Sequence, residues 1–491
     1  MSPYTEYFQN PIITDAEGMD HGDPFVLRYL DTYYLYHTGK QGVKLYTSTD
    51  LVHWTYQGIA LKANGPGEHW AQTDLWAPEV LYDAGVFYMY VAATRLSASG
   101  KSDDQARRQG LARSKTPLGP FVWDDAPLIP QEWSIDGHPY RDSDGQLWLF
   151  YNIRTEATRH PDGTTGCGNV VDRLTRPDQL EGTQDVVTFP TDRWEGNAPG
   201  TWYWNEGPCV LKRHGVYYQM YSGGCYRDGT YAIGYATAPH PRGPWTKFAG
   251  NPILYSKEGI LGPGHHCVVK APDGVTPYIV YHGYLPRRKG RKVHLDRLFW
   301  VGDRLSLIGP TTEKQPLPPG PVYDAAVPHW HLAAWVCGAA VRIDDRQIPL
   351  TPNTVWHYVQ AAYYNGQLQI SVDGVLQLQV ADATMQPVIS AEGEVRPVTL
   401  TSWFDDEAVY NLQPGEHRQW RWGGSGPVEI SLALMGDAVV NLQGADVEPL
   451  KIAASESYRH VHLTLCDGLD SLAVQAHGCG ASVTDIVLTA R

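Results

Sequence analysis

A chain of 491 residues is too long for one ordinary hydrophobic core, so two domains are expected. With 42% hydrophobic and 19% charged residues the composition is globular and excludes a disordered chain. A net charge of −14 argues against nucleic acid and against an anionic membrane as partners, and suits a neutral substrate.

The first residues, Met1-Ser2-Pro3-Tyr4-Thr5-Glu6, show no basic start followed by an apolar run, and no stretch is apolar for long enough to span a bilayer. The 7 cysteines are scattered without close metal-type pairs, as expected of free thiols in a reducing cytoplasm. Tyr (30) and Trp (17) far outnumber Phe (9), a bias that suits stacking on sugar rings and equally suits strands.

From residue 20 to about 310 one phrase returns five times: a polar residue beside Gly or Pro, an apolar pair, a turn, then an aromatic strand. It reads Asp23-Pro24-Phe25-Val26 into Tyr33-Tyr34-Leu35-Tyr36, then Pro78-Glu79-Val80-Leu81 into Phe87-Tyr88-Met89-Tyr90. Asp136-Gly137-His138-Pro139-Tyr140, Glu206-Gly207-Pro208-Cys209-Val210 and Gly264-His265-His266-Cys267-Val268 open the other three. The key residues 23, 79, 136, 206 and 265 stand 56 to 70 residues apart, room for about four short strands. A second recurring phrase, Lys44-Leu45-Tyr46-Thr47-Ser48, Gly110-Leu111-Ala112-Arg113-Ser114 and Ile233-Gly234-Tyr235-Ala236-Thr237, supplies a later strand of each unit. Long apolar runs of helical period are missing from residues 1–310, which excludes parallel α/β folds. The reading is all-β: a five-bladed β-propeller over residues 1–315, with the polar residue that opens each unit at one common place facing the axis.

A Pro-rich linker follows at 316–324, and alternating strands such as Gly366-Gln367-Leu368-Gln369-Ile370-Ser371-Val372 make residues 325–491 a β-sandwich accessory domain, as one unit or two small ones. Its piece with Trp356-His357-Tyr358-Val359 followed by Gly366-Gln367-Leu368-Gln369-Ile370-Ser371-Val372-Asp373-Gly374 resembles the laminin-G or concanavalin type.

The phrases Gly22-Asp23-Pro24-Phe25-Val26, Ile135-Asp136-Gly137-His138-Pro139-Tyr140 and Asn205-Glu206-Gly207-Pro208 resemble glycoside hydrolase family 43, as do Trp76-Ala77-Pro78-Glu79-Val80 and Gly262-Pro263-Gly264-His265-His266. The resemblance implies Asp23 as general base, Asp136 as modulator of pKa and orientation, and Glu206 as general acid. Inverting hydrolysis needs an ionised carboxylate and a protonated carboxyl on opposite sides of the anomeric carbon, with about 6.5–9.5 Å between them. A third carboxylate beside Glu206 would keep it protonated by like-charge repulsion. Asp20 competes with Asp23 for the role of base; Asp142 and Asp144 read as turn residues and Glu79 as a structural carboxylate. Trp76 is a candidate to stack on the terminal sugar, or else a core residue. Arg291 is a candidate to bind the sugar at the non-reducing end, and His265 to orient the centre of the site.

In similar enzymes that histidine acts in some cases through a calcium ion. One histidine makes no metal site, so no cofactor is required and Ca2+ at the axis is left open. The resemblance also has the accessory sandwich packing on the propeller, closing one side of the pocket or serving self-association. The expected function is exo-acting removal of terminal α-L-arabinofuranosyl residues from short plant oligosaccharides. β-D-xylosidase and β-galactofuranosidase are the alternatives, and a non-catalytic sugar-binding propeller is a third reading. A retaining, sucrose-type propeller is set aside because Arg141-Asp142 is followed by Ser143 where that family has Pro.

Overall fold

The computed structural model describes residues 6–13, 19–159, 163, 165–196, 203–257, 259–286, 289–320, 329–364, 366–381, 388–406, 410–422, 428–445, 447–455, 459–465, 469 and 471–490. Five antiparallel sheets of consecutive strands make five blades, the third carrying one extra short strand. Their inner strands are Phe25–Tyr29, Thr73–Asp83, Ser134–Arg141, Asn205–Arg213 and Leu261–Lys270. The propeller core is divided among the blade interfaces. Tyr36, Leu45, Val80 and Phe87 pack blade one on two, and Tyr90, Leu111, Leu147 and Leu149 pack two on three. Trp148 and Val210, Tyr218 and Tyr281, and Leu35 and Val280 mark the remaining three seams. The ring therefore closes by packing blade five on blade one, aided by a short pairing of Tyr7–Phe8 with Gln315–Pro316.

One irregularity is common to all five blades. At the start of each inner strand four residues face three on the next strand: Ile135 to His138 against Asn152 to Phe150, and Glu206 to Cys209 against Ser222 to Met220. Trp76 to Glu79 and Gly264 to Cys267 repeat the count, and blade one does so through the Thr38 N–H bond to the Gly22 carbonyl followed by the Phe25–Tyr36 pair. The bulged residue has positive φ in every blade: Asp23 (58°), Ala77 (46°), Asp136 (56°), Gly207 (57°) and His265 (45°). The common place is thus occupied by Asp23, Ala77, Asp136, Gly207 and His265. This corrects the sequence phasing, because Glu206 stands one residue before it and Glu79 two residues after it. The repeated element is a backbone kink, and the acidic residues fall at three different offsets from it.

A bulge frees a backbone N–H from the ladder, and a buried one needs a partner. Each bulge finds one on the preceding blade. Asp23 N–H donates to His282 Nδ1 of blade five (3.0 Å), Ala77 N–H to Thr38 Oγ1 of blade one (2.9 Å), and His265 N–H to Ser222 Oγ of blade four (2.8 Å). Gly207 N–H is shared between Asn152 Oδ1 (3.2 Å) and Asp136 Oδ2 (3.1 Å) of blade three. Thr38, Asn152, Ser222 and His282 hold equivalent positions, each beside the residue preceding its own blade's bulge. In blade two that position is Ala92, which has no acceptor. Blade three instead uses Gln109, paired with Ala92, whose Oε1 accepts Gly137 N–H (3.0 Å).

Residues 321–328, covering the end of the expected linker and the start of the expected accessory domain, lie outside the described residues. From Trp330 onward long antiparallel strands form two hydrophobic cores, one running from Trp330 to Leu400 and one from Leu412 to Leu488. These sheets meet the propeller at its hairpin turns. Trp335 packs on Tyr29, Tyr82 Oη donates to the Trp356 carbonyl (2.8 Å), Leu376 N–H to the Ser143 carbonyl (2.9 Å), and Thr401 Oγ1 to the Asp273 carbonyl (2.9 Å). Tyr29, Tyr82, Ser143 and Asp273 all lie at the far ends of inner strands, away from the bulges. The accessory sheets cover the face opposite the bulges, so the expectation that they close the pocket is corrected. Among the described residues no helix is long and apolar enough to cross a membrane.

Ser222→Ala is expected to leave the His265 N–H buried without an acceptor and to destabilise the protein by about 1–3 kcal/mol in urea denaturation.

Candidate active site

The bulges aim their side chains at the propeller axis, and there Asp23, Trp76, Asp136, Glu206, His265 and Arg291 line one cavity of about 350 Å³. All six residues singled out from the sequence meet in it. Trp76 and Glu206 occupy the same position relative to their bulges, which is why a tryptophan and a carboxylate point into one space from different blades.

Asp23 is held as a carboxylate. Its Oδ1 accepts from Arg291 Nη1 (2.8 Å) and its Oδ2 from Thr38 Oγ1 (2.5 Å). His265 Nδ1 stands 3.5 Å from Oδ1. Burial opposes the charge, but the Arg291 guanidinium holds the carboxyl well below the usual range. His282 Nδ1 accepts the Asp23 N–H, so this neutral imidazole carries its proton on Nε2 and the positive charge beside Asp23 belongs to Arg291.

Arg291 is itself fixed. Asp20 accepts from its backbone N–H (2.7 Å), from Nε (3.1 Å) and from Nη2 (2.7 Å). Asp20, the competitor for the role of base, is therefore engaged as the clamp of this arginine and is absent from the cavity lining. The chain passes so close that a Cβ on Gly22 would fall 1.8 Å from the Arg291 Cζ.

Glu206 and Asp136 form the opposite wall. Both are under 10% exposed. Burial raises both carboxyls, and each is raised further by a neighbouring carboxylate. Glu206 is pushed up to about 7, with Tyr231 and the arginines pulling the other way, while Asp136 is pushed well above its usual range by burial and by Glu206. Two buried carboxyls tied through Gly207 titrate as a pair, so at neutral pH the pair retains a proton. Tyr231 Oη donates to Glu206 Oε1 (2.7 Å). Trp204 lines the same wall, and the neighbouring Trp202 lies outside the described residues.

Trp76 presents one face to the Arg107 guanidinium, 3.2 Å from the ring centroid, and is part of the cavity wall. Arg107 and Arg154 share Asp104, and both line the cavity. Glu79 accepts from His138 Nδ1 (2.7 Å) and is structural, as expected, while Asp142 accepts from Lys212 (2.6 Å) and from Tyr217.

Calcium takes six to eight oxygen ligands. The oxygens nearest His265 belong to Asp23, already held by Arg291 and Thr38, and to Asp136, whose buried carboxyl favours its neutral form. Among the described residues no group of three or more His, Cys, Asp or Glu is spaced to hold a metal, so these side chains do not fit a protein-built calcium cage.

Comparison with known proteins agrees with this geometry. The family model described as glycosyl hydrolases family 43 matches residues 8–305. The chain belongs to that family. An extracellular exo-alpha-(1->5)-L-arabinofuranosidase of Cellvibrio japonicus is 26% identical over 317 residues, 59% of this chain and 86% of that protein. A beta-D-galactofuranosidase of Aspergillus niger is 28% identical over 261 residues, 48% of this chain and 64% of that protein. The crystal structure of a thermostable family-43 glycoside hydrolase matches with a TM-score of 0.57 and 37% identity, over 64% of this chain and 99% of that one. The protein is therefore a glycoside hydrolase whose family fold occupies the propeller.

Thr38, Arg107, Arg154, Tyr231 and His282 were not singled out from the sequence. Each reaches the site from a strand end without Gly-Pro punctuation. The one available signal was their place just outside or within the second and third aromatic strands of a blade.

Gly22→Ala is expected to push Arg291 off Asp23. The acid limb of the pH profile of kcat/KM should then move to higher pH, because the carboxylate loses its largest stabilising charge, and kcat/KM at neutral pH should fall by ~10-fold or more.

Proposed function

We propose that the protein is an inverting, exo-acting α-L-arabinofuranosidase that removes terminal residues from short plant-derived oligosaccharides. The observation that carries this reading is one cavity holding a carboxylate kept ionised, Asp23, and a carboxyl kept protonated near neutrality, Glu206. Asp23 takes a proton from a water as that water's oxygen bonds to the anomeric carbon. Glu206 delivers its proton to the glycosidic oxygen as the bond from carbon to that oxygen breaks, and the product has the opposite anomeric configuration. Asp136 accepts the Gly207 N–H and so fixes the backbone beside Glu206, whose pKa is held high by burial and by the charge of Asp23. Arg291, clamped by Asp20, sets the charge of Asp23 and stands ready to meet hydroxyls of the terminal sugar.

Exo action is supported by size, since about 350 Å³ lies at the small end of ligand pockets, roughly 300–1,000 Å³. The Cellvibrio japonicus relative is named for an arabinofuranoside, and the Aspergillus niger relative makes β-galactofuranosidase the second reading. β-D-xylosidase remains the pyranoside alternative within the family fold. The six described cysteines are all free and four of them are buried, a state that a reducing cytoplasm preserves; the cytoplasmic location is part of this proposal.

Glu206→Gln is expected to lower kcat on an arabinofuranosyl disaccharide, whose leaving sugar needs a proton, by ~10²–10⁴-fold, and parental turnover of it in that variant would remove the acid assignment. For the parent enzyme, Asp23 must be ionised and Glu206 protonated. Activity should therefore stay flat from mildly acidic pH up to near 7 and fall above it as Glu206 loses its proton, which a pH series on the same substrate reads directly. Parallel assays on the xyloside and galactofuranoside separate the three sugars, and NMR of the first-formed anomer separates inversion from retention.

A further inference from the structure

Tyr231 lies at the point where the two catalytic walls meet. It directly precedes the third strand of blade four (Ala232–Ala238) and is 1% exposed. Its Oη donates to Glu206 Oε1 (2.7 Å). Its ring lies on the His282 imidazole, centroids 5.6 Å apart and planes within 10°, and His282 Nδ1 accepts the Asp23 backbone N–H (3.0 Å). On another side the ring abuts the chain of blade five so closely that a Cβ on Gly264 would fall 2.0 Å from it. The ring cannot tilt without displacing the inner strand of blade five or His282, so the hydroxyl is fixed relative to both carboxyls. Burial and the nearby Glu206 push the phenol well above its usual range, and it stays an O–H donor throughout the working pH.

We propose that Tyr231 is a positioning residue that aims the general acid, an inference that rests on Glu206 being that acid. Its hydroxyl occupies Oε1, so the transferable proton resides on Oε2, the oxygen left for the leaving group. When the proton passes from Oε2 to the glycosidic oxygen and the sugar bond breaks, the same hydrogen bond stabilises the new carboxylate. The bond therefore acts twice, in orientation before transfer and in charge stabilisation after it. Because it favours the ionised form it also makes Glu206 a stronger acid than burial and its neighbours alone would allow.

Tyr231→Phe keeps the ring, the stack on His282 and the contact with blade five, and removes only the hydroxyl. The basic limb of the kcat/KM profile is expected to move up by about one pH unit, since the carboxylate loses a hydrogen bond. Turnover of an arabinofuranosyl disaccharide, whose leaving sugar needs a proton, should fall by ~10–100-fold. Turnover of the 2,4-dinitrophenyl arabinofuranoside, whose leaving group departs without one, should stay within about twofold. An unmoved basic limb, or equal loss on both substrates, overturns the proposal. A second variant with 3-fluorotyrosine at position 231 keeps the shape and strengthens the donor, so its basic limb should move down; a limb that stays in place there also overturns it. Glu206→Gln separates the two levels. Parental turnover of the disaccharide in that variant rejects the acid and the positioning residue together, whereas loss there with an unmoved limb in Tyr231→Phe rejects Tyr231 alone.

Discussion

The ring is held in register by backbone donors that its own kinks set free. An extra residue at the start of each inner strand takes a left-handed conformation, and a side chain of the preceding blade accepts an N–H freed at the kink, that of the left-handed residue in four blades and that of Gly137, one residue on, in blade three. Burying such a donor without a partner costs more than the bond gains when made, so the five kinks and the acceptors of the blades before them specify one another. Blade two tests the rule. Where Ala92 offers no acceptor, Gln109 on the adjacent strand reaches in and serves the bulge of blade three. The same local strain that costs stability supplies the catalytic geometry, because Asp23 and Asp136 are themselves the left-handed residues.

The electrostatic division of the site follows from which blades meet at it. The blade five to blade one seam brings Arg291 against Asp23 and makes that carboxyl a permanent anion. The blade three to blade four seam brings Asp136 against Gly207 and crowds two carboxyls into one dry wall, where a proton is retained. Two carboxyls with opposite protonation at one pH thus arise from different partners, one from a cation and one from burial and like charge.

The five-blade order was legible because each blade restarts with a hairpin of the same composition, and a repeat of that length leaves few architectures. Asp23, Asp136 and Glu206 were legible because Gly and Pro beside them mark the kink. The phase was not. An acidic residue is conspicuous in a sequence and a positive φ is not, so Glu206 and Glu79 were aligned with Asp23 although they stand one residue before and two residues after the kink. Tyr231 and His282 were invisible for a related reason. His282 is 259 residues from the Asp23 it serves, and nothing local in either segment records the contact. The accessory sheets were legible as alternating strands, while their side of attachment depended on turns such as Ser143-Asp144-Gly145 whose partners lie more than 200 residues away.

That attachment leaves the two ends of the propeller with separate duties. The turns buried under Trp335 and Thr401 belong to the closed end, and every kink opens at the other. A bead or fibre coupled to the outer surface of the C-terminal sheets would therefore hold the enzyme by its base, with the kinked end turned to the liquid from which a sugar chain arrives.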